Sequence, residues 1–231
     1  WSKSLNKLNL NMALILCIET STKNCSVSIS ENGKIIDCIE NHNDKYSHSE
    51  ELTIFISELL KNNNIDFKDL DAVAISKGPG SYTGLRIGVS TAKGLCYALD
   101  IPLLSISTLE SMALEIAKEN PGKIYCPMID ARRNEVYCML IKQKEILNSV
   151  EAKIIKADSF IEFLEFEEIL FFGDGAEKCK KIIDHKNANF ISDFFPSSKF
   201  MSSLAERSYK KKKFENIAYF EPFYLKDFII S

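Results

Sequence analysis

Residues 14–40 read LILCIETSTKNCSVSISENGKIIDCIE, and the fold follows from how this stretch divides. Leu14–Ile18 is a short apolar run that ends at the polar Glu19-Thr20-Ser21-Thr22. From Cys25 to Ser30 the chain alternates, with Cys25, Val27 and Ile29 on one side and Ser26, Ser28 and Ser30 on the other. That period of two is the pattern of a half-buried strand. Asn32-Gly33 then marks a tight hairpin, because both residues tolerate positive φ. A third strand follows over Lys34–Glu40. The chain is therefore predicted to open as a three-stranded antiparallel meander.

Working outward, Ser47 and Glu50 have capping-box spacing, and Leu52, Phe55, Ile56 and Leu59 recur at helical intervals up to the stop at Asn62–Asn64. Asp71–Ser76 reads as a buried strand, Gly78-Pro79-Gly80 as a turn, and Thr83–Leu99 as a second helix. Ile101–Ile106 is a further strand. Ser107 and Glu110 repeat the capping box before a helix with Leu109, Met112, Ala113 and Ile116 on one stripe. The order β-β-β-α-β-α-β-α implies a mixed sheet covered by helices, joined by right-handed crossovers. It resembles the ribonuclease-H-like lobe of actin, sugar kinases and Hsp70, an α/β, actin-like (ASKHA) two-lobe fold.

Asn120-Pro121-Gly122 is the expected lobe boundary, giving a first lobe over residues 12–120 and a smaller one over 121–231. A C-terminal segment of the second can return to the first. Beyond the boundary, 124–129, 135–141, 145–150 and 169–172 read as strands. Helices are expected from an Asp158 cap to Leu164, near 176–184, and over 199–213. Residues 1–11 are expected to be an upstream extension or expression remnant ahead of Met12, and they lack the continuous apolar stretch of a signal peptide.

Of the 231 residues, 45% are hydrophobic and 26% charged, enough for a core and ordinary for a protein in water. No apolar run approaches the ~18 residues of a membrane span. The seven cysteines are odd in number, scattered and free of Cys-x-x-Cys pairs, which predicts reduced core thiols in a cytoplasmic protein. With a net charge of −3, the one basic cluster is Arg207 with Lys210–Lys213 at a helix end. It reads as a solvated C-terminus complementing the helix dipole, so RNA binding by this chain alone is not expected.

The stretch Ser76–Gly88, SKGPGSYTGLRIG, lies where a strand gives way to a helix. It lacks the Gly-Lys-Ser/Thr ending of a P-loop, and Gly78, Gly80 and Gly84 do not have dinucleotide-fingerprint spacing. It is either a plain turn or an anion site made by backbone amides. Gly84, Gly88 and Ala92 recur every four residues, which leaves a groove along one helix face. Glycine inside a helix costs about 1 kcal/mol relative to alanine, so something approaches this backbone closely. The protein's own sheet and a partner's helix are both candidates.

KGPGSYTGLRIGVSTAKGLCYAL and the following IPLLSISTLESMA resemble the TsaB (YeaZ) family. MALILCIETST at 12–22, HSEEL at 48–52, DARRNEVYC at 130–138 and PFYLKD at 222–227 support the likeness, which is collinear from Met12 onward. The resemblance implies a non-catalytic subunit that supports tRNA threonylcarbamoyladenosine synthesis. It would pair with a TsaD-type transferase, be joined by a TsaE-type ATPase, form a homodimer when alone, and meet tRNA only through the complex. A TsaC-type enzyme would supply the threonylcarbamoyl adenylate. The interface is expected on the helices carrying His48, Leu52, Phe55, Leu59, Gly84, Leu85, Gly88, Ala92 and Leu95.

The transferase carries a His-x-x-x-His metal pair, and the matching positions here are Thr108 and Met112, neither a credible ligand. The metal is thus expected in the partner, with no tightly bound cofactor in this chain. Glu19 and Thr20, with Gly78, Gly80, Ser81 and Thr83, form the candidate nucleotide or anion site, for which ATP or ADP is the implied ligand. Glu19-Thr20-Ser21 reads either as a relic nucleotide loop or as a strand end with local hydrogen bonds. Asp130-Ala131-Arg132-Arg133 is expected to hold a salt bridge across the lobes, and Asn134 replaces a glycine usual in the family. The competing reading is an actin-fold ATPase or peptidase active on its own.

Overall fold

The computed structural model describes residues 13–42 and 48–226. The meander forms as β1 (Leu14–Glu19), β2 (Asn24–Glu31) and β3 (Lys34–His42), with Asn32 and Gly33 at φ 54° and 72° in the hairpin. α1 (His48–Asn62), β4 (Ala72–Gly78), α2 (Tyr82–Leu99), β5 (Leu103–Ser107) and α3 (Thr108–Glu119) follow. The first sheet has the order β3-β2-β1-β4-β5, with β4 parallel to both β1 and β5. Ser107 caps α3 by accepting the Glu110 amide, as its spacing predicts. Ser47, the other expected cap, lies outside the described residues.

The second half repeats this plan. β6 (Ile124–Asp130), β7 (Glu135–Lys142) and β8 (Glu145–Ile154) are an antiparallel meander. α4 (Ile161–Leu164), β9 (Ile169–Phe172), α5 (Ala176–Lys180), β10 (Ala188–Ile191) and α6 (Ser202–Lys210) complete it. The sheet order β10-β9-β6-β7-β8 has the same pairing senses as the first. The copy is shortened, since α4 and α5 span 4 and 5 residues where α1 and α2 span 15 and 18. The helix expected from Asp158 begins later, because Phe160 turns left-handed (φ 65°) to bury its ring.

Each sheet is covered on both faces, and the last helix of each half is exchanged. α1 and α2 cover one face of the first sheet through Leu52, Ile56, Leu59, Val89 and Ala92. α6 covers the other, with Met201, Leu204 and Ala205 against Ile15, Cys17, Ala74 and Leu104. α3, although it follows β5, sends Leu109, Met112 and Ala113 into the second sheet against Tyr125, Ile129 and Phe172.

This exchange changes the reading of β2. Ser26, Ser28 and Ser30 are fully buried, so the alternation marks two covered faces of different polarity. A 3₁₀ turn at Ser198–Met201 lies over the serine face. There the Ser198 amide donates to Ser26 Oγ at 3.1 Å, and the Ser26 and Ser198 hydroxyls meet at 2.7 Å. All seven thiols are free, and burial pushes those of Cys17, Cys25 and Cys179 up to about 12. Among the described residues no helix is long and apolar enough to cross a membrane.

Candidate functional site

The glycines of α2 stand against the turn that ends β1. A Cβ at Gly84 would lie 2.2 Å from the Thr20 carbonyl oxygen, and one at Gly88 2.2 Å from Thr20 Oγ1. At Gly80 it would lie 2.3 Å from the Ser21 carbonyl oxygen, which already accepts the Ser81 amide at 2.6 Å. Of the two candidates for the groove, the chain's own backbone fills it. Ser81 caps α2 by accepting the Gly84 amide. The helix start is thus closed by internal hydrogen bonds, which weakens it as an anion site.

This packing seals Glu19 and Thr20 beneath α2, both fully buried. Glu19 Oε1 accepts the Ser21 amide at 2.7 Å, and burial raises its pKa above the usual carboxylate value. Glu19 is not among the residues that line the cleft between the lobes. Gly80, Ser81 and Thr83 do reach that cleft, while Gly78 sits under Leu85 and the Phe223 carbonyl. Thr108 and Met112, at the positions matching the transferase's metal pair, are buried at the start of α3, and Met112 belongs to the second core. They offer no site for a metal ion.

The cleft holds about 530 Å³. Ser21, Thr22 and Ser81 line it from the first lobe, and Asp130, Arg132 and Asp174 from the second. Asp174 Oδ1 accepts the Asp130 amide at 3.0 Å, and burial raises its carboxyl to about 6. Among the described residues, the salt bridge across the lobes expected from Asp130–Arg133 is not formed. Asp130 pairs with Lys178 at 2.7 Å within the second lobe, because the end of β6 abuts α5. The left-handed residues of this turn are Arg132 (φ 69°) and Arg133 (φ 51°), next to Asn134.

A C-terminal strap, residues 215–226, closes one side of the cleft. The Glu215 amide donates to Leu103 O, Lys93 Nζ donates to Phe220 O at 3.1 Å, and the Phe223 amide donates to Lys77 O at 2.7 Å. Tyr224 packs on Tyr82 with ring centroids 4.9 Å apart, and Arg86 lies over Tyr82. Lys226 then pairs with Glu135 of the second lobe. The motif PFYLKD carried the only sequence signal for this strap, and Asp227 lies outside the described residues.

Most of the residues expected at a partner interface are internal. Leu52, Leu59, Gly84, Leu85, Gly88 and Ala92 are buried in the first lobe, because their stripe is the one that covers the sheet. His48 is buried too. Its ring Nε2 lies 2.7 Å from the Thr22 carbonyl oxygen, and burial lowers its pKa. Phe55 and Leu95 are half-buried beside Ile87 at the margin of the core. The outward face of α2 carries Thr83, Ser90, Gly94, Tyr97 and Ala98 instead, and α1 adds Ile54.

Two sheets of like topology around a cleft, each flanked by helices, define a protein of the actin-like, ASKHA class. The family model described as TsaD, tRNA N6-adenosine threonylcarbamoyltransferase, matches residues 42–228. The tRNA threonylcarbamoyladenosine biosynthesis protein TsaB of Buchnera aphidicola (Schizaphis graminum) is 33% identical over 208 residues, covering 90% of this chain and 85% of that one. TsaB of Haemophilus influenzae is 26% identical over 223 residues, covering 92% and 93%. YeaZ from Pseudomonas aeruginosa shares the fold, with a TM-score of 0.76, 24% identity, 93% of this chain and all of that one. The chain belongs to the TsaB family of tRNA threonylcarbamoyladenosine biosynthesis proteins, within the wider family that the transferase model describes.

Proposed function

We propose that this chain is the non-catalytic subunit of a cytoplasmic complex that makes threonylcarbamoyladenosine in tRNA, and that it scaffolds and activates a TsaD-type transferase. The observation that carries this is the outward face of α2. Gly94 is exposed, and a Cβ there would meet nothing within 4 Å. Its helical cost of about 1 kcal/mol therefore has no internal reason. Ser90, Gly94 and Ala98 make a shallow lane beside Tyr97, which is 83% exposed, and α1 carries Ile54, which is 53% exposed. Such a lane admits another helix at close range.

A partner of the same fold presents equivalent helices, so the two pair about a pseudo-twofold axis, and two copies of this chain pair likewise when alone. The partner brings the metal and the transfer chemistry, a TsaE-type ATPase joins the pair, and tRNA is modified on the assembly. The sealed Glu19 and the Thr108–Met112 positions lend no support to an ATPase or peptidase in this chain. ATP or ADP in the cleft is no part of this reading.

Copurification with the TsaD-type transferase of the same organism, followed by size measurement and reconstituted tRNA modification, tests it. A one-to-one complex, lost in Gly94→Arg, and modification that depends on this chain are expected. A chain that stays monomeric beside excess partner, with modification proceeding equally without it, overturns the reading.

A further inference from the structure

The basic run at the end of α6 does not stand alone in the folded chain. The end of β5, the start of α3, the end of α6 and the first residues of the strap meet around a recess of about 240 Å³. Lys77, Arg207, Lys211 and Lys213 line it against Glu110 and Glu215. Among the described residues none of the four cations makes an ion pair. Lys210 is different, held by Glu206 at 2.9 Å. Glu215 is already engaged, its Oε1 accepting from Ser105 at 2.5 Å. Ser107 and Ser208 add hydroxyls to the lining.

We infer that this recess binds a phosphate group of an RNA backbone, with adjoining phosphates following the exposed Lys211, Lys212 and Lys213. Cations with hydroxyls are the usual donors to backbone phosphates. Lys212, exposed between the lining residues Lys211 and Lys213, adds a cation outside the recess, so the positive charge extends further than one small anion needs, which favours a polymer. The recess adjoins α6, on the face of the first sheet opposite α1 and α2. A partner docked on α2 therefore leaves it open. The choice of RNA over a small anion rests in part on the function proposed above.

The test titrates labelled tRNA, first with the full chain alone at low salt and then with the transferase complex. Wild type is compared with a Lys77→Ala, Arg207→Ala, Lys211→Ala, Lys213→Ala variant. A charge-matched control carries Lys156→Ala, Lys180→Ala, Lys181→Ala and Lys186→Ala, and circular dichroism checks each fold. The recess variant is expected to bind about tenfold more weakly, with its salt slope reduced by about one for each cation that contacted a phosphate. The control is expected to bind like wild type. If the recess variant matches wild type or the control, the inference is overturned even where the complex assembles. Inorganic phosphate or pyrophosphate bound at the recess with tRNA affinity unchanged also overturns it, in favour of a small-anion site. Loss of tRNA binding by the variant chain alone sustains it even if no complex forms, an outcome that would count only against the function proposed above.

Discussion

Gly88 and Thr20 fit against each other without room for one more carbon: a Cβ at position 88 would stand 2.2 Å from Thr20 Oγ1. At position 84 the obstacle is the Thr20 carbonyl oxygen, also at 2.2 Å. Gly84→Ala and Gly88→Ala are each expected to destabilise the chain by about 1–3 kcal/mol, through overpacking against a turn tied to β1. Urea unfolding of the two variants measures this. Unchanged midpoints would show that the turn yields freely.

Gly94→Ala carries the opposite sign. With nothing near its Cβ, alanine is expected to stabilise the isolated chain by up to about 1 kcal/mol. The same methyl group narrows the lane between Ser90 and Ala98, so affinity for the transferase is expected to fall. The pair of measurements, unfolding midpoint and binding isotherm, should move in opposite directions.

Two buried groups shape the pH dependence of stability. Asp174 holds its proton up to about 6, against 3.8 when free. The unfolded carboxyl ionises first, so stability falls as pH rises from about 4 to 6. Asp174→Asn keeps the acceptor for the Asp130 amide and is expected to gain up to about 3 kcal/mol at pH 7 and nothing at pH 3. His48 acts in the other direction: its folded pKa is lowered from 6.5, so stability is lost as pH falls below that value. His48→Gln should flatten that limb. Denaturation midpoints between pH 3 and 8 resolve both.

Ser26→Ala removes the acceptor of the buried Ser198 amide. A cost of about 1–3 kcal/mol is expected for the orphaned donor. Thermal unfolding checks it. A neutral result would mean that water reaches this seam.

The meander, the Asn32-Gly33 hairpin, the Ser107 cap and the crossover order were legible in the sequence because each is a local pattern. β10, Ala188–Ile191, was not, since its four residues show no period and are bounded by Asn187 and Ser192. The serine face of β2 was misleading for a related reason. Its cover comes from Ser198–Met201, far along the chain, and no local rule anticipates it. For the candidate site, spacing revealed that the backbone around Gly84 and Gly88 is approached closely, but not by what. Thr20 supplies the answer only after β1 and α2 are packed. The exposed Gly94 lies six residues beyond the buried Gly88, off the four-residue spacing of the buried stripe. The recess beside Lys77 was invisible for the same reason, because its charges come from separate parts of the chain.

The exchange of α3 and α6 has a consequence for how the chain can be divided. A cut after Asn120 separates two halves of like topology, yet strips each sheet of a helix it needs. The amino-terminal piece would expose Ile15, Ala74 and Leu104, and its α3 would project with Leu109 and Met112 bare. The carboxy-terminal piece would carry the mirror fault. The halves are not modules but a clasp, and they should be insoluble apart yet recover a native fold when produced together.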